Sequence, residues 1–197
     1  VLHRFHDPKT APPGAGLEDL MSMLDTGWRR SGFGDSNDEL QFRDRATSAM
    51  ESYWQSERQS TQQPLWLERQ FEFRIGPHYL RGRVDRVDQR EDGSYEVIDY
   101  KTGQRVETGR HGGDIQLALY RLGAREAWDV EIDSGSYYYV LEGEKVPVEA
   151  ETDDRERVER TALEVGEGIL GQDFEPRPSP GVCGWCDFRT VCPASEA

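Results

Sequence analysis

The sequence predicts an α/β domain: a central mixed sheet flanked by helices. Three observations carry this. Apolar residues recur at helical spacing in two stretches, 17–30 and 38–57. The period then drops to two from Leu65 to Lys101. After Lys101 the pattern returns to a helix and then to further strands. Helices, strands, helix, strand is the order expected of strands paired across a helical crossover.

Residues 8 to 16, PKTAPPGAG, form a loop rich in Pro and Gly. Leu17, Leu20, Met21 and Leu24 mark a helix from Leu17 to Arg30. Leu40, Phe42, Ala46, Met50 and Tyr53 mark a second from Asp38 to Glu57, and Pro64 ends the helical pattern. Leu65, Leu67, Arg69, Phe71, Phe73 and Ile75 then alternate with polar residues and Trp66, as in a strand with one buried face. Gly76-Pro77 turns the chain into a second strand, Tyr79 to Val87, and Glu91-Asp92-Gly93-Ser94 into a third, Tyr95 to Lys101. Residues 65 to 101 therefore read as an antiparallel meander. Asp114 to Ala127 reads as a helix, Ser136 to Leu141 as a strand, and Lys145 to Val148 as its partner. Asp153 to Leu170 is a charged amphipathic helix with Asp153-Asp154 placed to cap it.

The 197 residues suffice for one domain with a sizeable core, and five Trp, seven Phe and eight Tyr supply its bulk despite a hydrophobic fraction of 35%. No apolar run reaches the length of a membrane span and no signal peptide is visible, so a soluble cytoplasmic protein is expected. The opening Val1-Leu2-His3 suggests a fragment of a longer chain. The net charge of −14 argues against a freestanding nucleic-acid binder. It does not exclude a nuclease, because divalent cations in a carboxylate site reverse the local sign. Lysine occurs only at positions 9, 101 and 145. A compact ammonium at 101, where arginine is the default cation, points to a specific need.

The informative segment is G-R-V-D-R-V-D at 82–88 followed by V-I-D-Y-K-T-G at 97–103. Alternation puts Asp99 and Lys101 on one face of their strand, with Tyr100 on the other. An antiparallel neighbour brings Asp85 beside Asp99. Two carboxylates and an ammonium so placed suit a hard cation and a phosphodiester. Solvated charges with an ordinary salt bridge are the bland alternative. An acid flanked by buried strand residues disfavours it, since acids form strands poorly and are rarely buried.

Together these two segments resemble the second and third motifs of RecB-like PD-(D/E)XK nucleases, in the versions found in AddB-type helicase-nucleases and at the C-terminus of some UvrD-like helicases. The resemblance implies a restriction-endonuclease-like core in which Asp85 and Asp99 bind Mg²⁺ or Mn²⁺ with the Tyr100 carbonyl, and in which Lys101 is catalytic. Asp88 is then structural. Glu68 matches a family acid and reads either as a supporting acid or as a solvent-facing charge. Gln116-Leu117-Ala118-Leu119-Tyr120 is similar to the family's Q-x-x-x-Y motif, implied to contact DNA and buttress the site. Gln116 and Tyr120 share a helix face at this spacing. The family's metal-facing His falls just before Val1 if Leu2 and Phe5 fill its L-x-x-F pattern; His3 and His6 are the alternatives, and both otherwise read as surface helix positions.

Cys183-x2-Cys186-x5-Cys192-Pro193 clusters all three cysteines. Such spacing suits a soft metal better than disulfides. It resembles the segment closing AddB-like nuclease domains, which implies a [4Fe–4S] cluster whose fourth cysteine is absent from this chain; zinc is the other candidate. The expected division is a nuclease domain over 1–175, with a helical elaboration at about 15–60 and a catalytic core at about 65–150, then a cysteine segment over 176–197. The expected function is a metal-dependent DNA exonuclease of repair or recombination, served by a helicase motor as partner. A non-catalytic DNA-binding or metal-binding scaffold is the alternative.

Overall fold

A computed structural model describes residues 1–33, 35–103, 105, 115–151 and 154–196. They form two compact units, Val1–Glu159 and Arg160–Ala197. The first contains helices α1 (Leu2–His6), α2 (Leu17–Gly27), α3 (Ser36–Glu57) and α4 (Ile115–Trp128). Its strands are β1 (Gln63–Ile75), β2 (His78–Gln89), β3 (Tyr95–Lys101), β4 (Ser134–Tyr139) and β5 (Glu144–Val148). Helix α5 (Asp154–Leu170) begins in the first unit, and α6 (Pro180–Trp185) belongs to the second.

The sheet is mixed, with strand order β1-β2-β3-β4-β5. Strands β1, β2 and β3 form the expected meander. Strand β4 runs parallel to β3, because α4 carries the chain back across one face, and β5 returns antiparallel. The α/β architecture read from the sequence is the one observed.

Two helix boundaries differ by two residues or more from the sequence reading. Helix α3 starts at Ser36, two residues early, because the Asp35 carboxylate accepts the N–H groups of Asn37 at 2.8 Å and Asp38 at 2.9 Å. Helix α2 stops at Gly27 rather than Arg30. Trp28 is extended there, and its indole donates to Glu39 of α3 at 3.1 Å. Asp153, one of the two expected caps of α5, lies outside the described residues, as does Asp114 before α4.

Each sheet face has its own cover. On the rear face Leu2, Leu20, Leu24, Ala49, Met50 and Tyr53 from α1–α3 pack on Ile98, Tyr138 and Val140. On the front face α4 buries Leu117, Ala118, Tyr120, Leu122 and Ala124. There the Phe71 ring sits edge-on to Tyr120 and against Gly82 and Gly123. A Cβ at Gly123 would stand 2.7 Å from that ring, and one at Gly82 would overlap it. Both positions therefore require glycine to let strand, ring and helix approach.

The alternation in β1 does not hold along its whole length. Phe71, Phe73 and Ile75 are buried as expected, but Leu65 is 41% exposed. Trp66 instead packs on the front, edge-on to Trp128 of α4 and stacked on Tyr95. The Arg69 guanidinium lies over both indoles, 3.8 Å and 4.4 Å from their centroids. Trp66, Arg69 and Phe71 cannot share a face by simple alternation. The phase inverts at Glu68, whose φ of 49° is left-handed. The same inversion appears in β2, where Gly82 faces α4 and Arg86 faces α3.

Alanine normally stabilises a strand relative to glycine. At Gly82 the opposite is expected. Gly82→Ala should cost about 1–3 kcal/mol by overpacking, read as a lower urea midpoint at unchanged slope, with partial recovery when combined with Phe71→Leu. A neutral Gly82→Ala would refute the packing described.

Candidate active site

The ladder between β2 and β3 runs from Gln89↔Tyr95 to Arg86↔Ile98 and stops. Beyond it the Tyr100 N–H donates to the Asp85 side chain, Oδ2, at 2.9 Å. Strand β3 meanwhile stays paired with β4 as far as Lys101↔Tyr139. The β2–β3 ladder therefore ends where Asp85, Asp99 and Lys101 stand. In the register of β1 with β2, from Leu67↔Arg86 to Arg69↔Val84, Glu68 falls opposite Asp85.

Asp99 is 3% exposed. Its Oδ2 pairs with Lys101 Nζ at 2.8 Å. Its Oδ1 accepts from Gln116 Nε2 at 2.8 Å and from the Tyr120 hydroxyl at 3.2 Å. Gln116 also accepts from Lys101 Nζ at 2.7 Å, so its one amide orients both the acid and the ammonium. Lys101 Nζ lies 4.7 Å from the centroid of the Tyr137 ring. Glu68 is ion-paired at 2.7 Å with Arg83, which is largely exposed.

Asp85, Asp99, Lys101, Gln116 and Tyr120 are thus brought together, with Glu68 at their edge and the Tyr100 main chain between the two acids. His3 and His6 make their contacts elsewhere. His3 is 3.9 Å from Asp7. His6 is not the surface residue its position in the sequence suggested: it is largely buried on the rear face, bonded to Tyr53 at 2.5 Å. Sequence reasoning missed Arg83, Tyr137, Tyr53 and Arg86. Only Arg86 carried a signal, as an arginine between two aspartates in an otherwise buried strand.

Burial pushes both carboxyl groups above their ordinary range. For Asp85 the Tyr100 N–H opposes this and the Glu68 charge adds to it. For Asp99 the Lys101 bond opposes it and the Asp85 charge adds to it. Burial likewise raises the Tyr120 phenol to about 12, so it serves as a neutral donor. The site is short of positive charge. Among the described residues no three His, Cys, Asp or Glu side chains form a complete ligand set. Two desolvated carboxylates fit a hard cation such as Mg²⁺ or Mn²⁺, which retains several waters.

In the second unit, Ser179 caps α6 by accepting the Val182 N–H at 3.3 Å, with Pro180 at the first helical position. Cys183 is buried on this helix, and Cys186 and Cys192 are partly exposed; all three are free thiols. They do not converge as three ligands among the described residues, so as folded here they do not fit a cluster.

The family model of the PD-(D/E)XK nuclease superfamily matches residues 1–193. The chain belongs to this superfamily. Among curated proteins it is similar to the Gene 69 protein of Mycobacterium phage D29, at 33% identity over 64% of this chain and 47% of the relative. The Gene 69 protein of Mycobacterium phage L5 is 36% identical over 58% of this chain and 39% of the relative. The matched region thus spans less than half the length of either. Among solved structures, the crystal structure of SSO0001 aligns over 89% of this chain and 94% of its own, with a TM-score of 0.43 and 16% identity. Among the described residues no helix is long and apolar enough to cross a membrane.

A carboxyl group whose pKa is higher in the folded than in the unfolded state destabilises the fold when ionised. That penalty is complete above the folded pKa and vanishes as pH falls to the unfolded value. Asp85→Asn keeps an acceptor for the Tyr100 N–H and removes the charge. In EDTA its Tm should exceed wild type at neutral pH, and the gap should close as pH drops through the carboxylate range. Added Mg²⁺ should raise the Tm of wild type alone. A variant no more stable than wild type at neutral pH would contradict this account of the site.

Proposed function

We propose that this PD-(D/E)XK chain is a Mg²⁺- or Mn²⁺-dependent deoxyribonuclease of the RecB-like kind, acting on DNA ends in repair or recombination. The observation that carries the reading is the convergence of Asp85, Asp99 and Lys101 where the β2–β3 ladder ends. Asp85 and Asp99 would hold the cation, with the Tyr100 carbonyl as the further oxygen that the family resemblance implies. When bound, such a cation lowers the pKa of a water and withdraws charge from a phosphate oxygen.

The rest of the work falls to the chain's own residues. Lys101 holds its protons toward Asp99 Oδ2 and Gln116 Oε1. Beside a phosphodiester it orients the attacking water or neutralises charge developing on phosphorus oxygens. Gln116 keeps the Lys101 ammonium and the Asp99 carboxylate in register. Tyr120 steadies Asp99 through Oδ1. Arg83 is suited to a backbone phosphate, leaving Glu68 beside Asp85.

The net charge of −14 supports a domain whose DNA is delivered by a neighbouring module, with a helicase motor as the partner the resemblance implies. The cysteine segment belongs to the same reading through its spacing alone. A cluster there needs a different arrangement of the three thiols and a fourth ligand.

Purified protein should release acid-soluble nucleotides from labelled linear DNA with Mn²⁺ or Mg²⁺ and none in EDTA. Lys101→Ala should lower kcat by roughly 10²–10³-fold, the loss typical of one charge-stabilising donor, and Asp99→Ala should abolish cleavage. Metal-dependent cleavage that survives Asp99→Ala would place the activity elsewhere. Metal binding without any cleavage would favour the scaffold.

A further inference from the structure

Behind the two carboxylates, on the rear face, lies a buried polar network that the proposed chemistry does not use. Arg86 is 2% exposed and Asp88 is 0% exposed. Arg86 Nε donates to Asp88 Oδ1 at 2.5 Å and Nη2 donates to Oδ2 at 2.7 Å, a bidentate pair within one strand. Its Nη1 reaches Glu57 Oε1 at 2.9 Å, Tyr53 Oη at 3.0 Å, Tyr100 Oη at 3.2 Å and His6 Nε2 at 3.3 Å. Nη1 carries two hydrogens and faces four acceptors.

The hydroxyls complete the count. Tyr100 Oη and Tyr53 Oη are 2.7 Å apart, and Tyr53 Oη is 2.5 Å from His6 Nε2. Burial, and Arg86 beside it, lower the His6 pKa to about 3, so the ring is neutral and one nitrogen accepts. Burial also holds the Tyr53 and Tyr100 phenols above their usual range, which keeps their protons on. A consistent chain of donors runs from Tyr100 to Tyr53 to His6, with Arg86 donating into it.

The placement of the two anchoring residues matters. Arg86 follows Asp85 in β2, and Tyr100 follows Asp99 in β3. Arg86↔Ile98 is the last pair of the β2–β3 ladder. Past that pair, two contacts between the strands converge on one residue. Tyr100 donates its main-chain N–H to Asp85 on the front, and its hydroxyl oxygen accepts from Arg86 on the rear. Its peptide is pinned from both sides of the sheet.

We propose that the Tyr100 hydroxyl, held by Arg86 and Tyr53, is a positioning group that sets the spacing of Asp85 and Asp99 and hence the affinity of the site for its cation. The proposal rests on the metal-site reading above.

The test uses the intact chain, with Tyr100→Phe and Tyr53→Phe made separately and Mn²⁺ as the probe. Mn²⁺ binding is measured by calorimetry, and the kcat and KM of DNA cleavage are measured alongside. Removing a group that orients ligands typically costs 10–100-fold, so each variant should weaken Mn²⁺ binding about tenfold and lower kcat comparably. KM for DNA should stay within about twofold, since no DNA contact is lost. Variants that lose only Tm, with Mn²⁺ affinity and kcat at wild-type values, would overturn the proposal. If Tyr100→Phe does not fold, Tyr53→Phe, one hydrogen bond further from the peptide, is judged by the same two criteria. Wild-type protein that binds Mn²⁺ without cutting DNA would remove the nuclease reading and leave the binding comparison decisive for this one. Wild-type protein that binds no Mn²⁺ would end both.

Discussion

The hydrogen bond from the Tyr100 N–H to the Asp85 carboxylate is the constraint on which the site depends. A main-chain carbonyl in its place would continue the β2–β3 ladder and seal the sheet. A side-chain carboxylate satisfies the same donor while the ladder ends, so no buried N–H is orphaned where the pairing stops. Asp99 and Lys101 stand at that end, supported by β4 on their other side. A strand end of this kind presents charged groups without exposing an unpaired edge.

The two sheet faces treat charge in opposite ways. On the rear, Arg86 and Asp88 are buried as a bidentate pair and surrounded by phenols, a carboxylate and a neutral imidazole. Such a network is stable because every partner is present; removing one would leave a buried charge uncompensated. On the front, Asp85 and Asp99 are desolvated beside each other, with Lys101 the nearest cation, and both are harder to ionise than ordinary aspartates. The buried network on the rear backs two acids on the front that resist ionisation. The rigidity of the first lets the second hold an unfavourable arrangement, as functional sites commonly do.

Helix α4 ties the fold to the chemistry. Its lower face is seated by Phe71 against Gly82 and Gly123, which brings helix and sheet close. From that seat Gln116 and Tyr120 reach Asp99, and Gln116 reaches Lys101. The left-handed φ at Glu68 belongs to the same design. The phase inversion there turns one half of the β1–β2 hairpin toward α4 and the other toward α3, and Glu68 itself falls opposite Asp85.

Much of this is legible in the amino-acid sequence. Local periodicity marks the strands and helices, since alternation and 3.6-residue spacing are properties of neighbouring residues. The pairing of Asp99 with Lys101 follows from a two-residue step on one strand, and that of Gln116 with Tyr120 from one helical turn. Three features were not legible. The inversion at Glu68 is a single backbone torsion, invisible in a pattern of apolar and polar letters. His6 and Arg86 meet from positions 80 residues apart, and Tyr53 and Tyr100 from 47 apart. What the sequence alone determined is which residues share a face of one regular element, as Asp99 with Lys101 and Gln116 with Tyr120, but not across the inversion in β1. Which elements bring their faces together, and how far each carboxylate is thereby stripped of water, was decided only by the tertiary fold, because burial and long-range contact are properties of the packed chain.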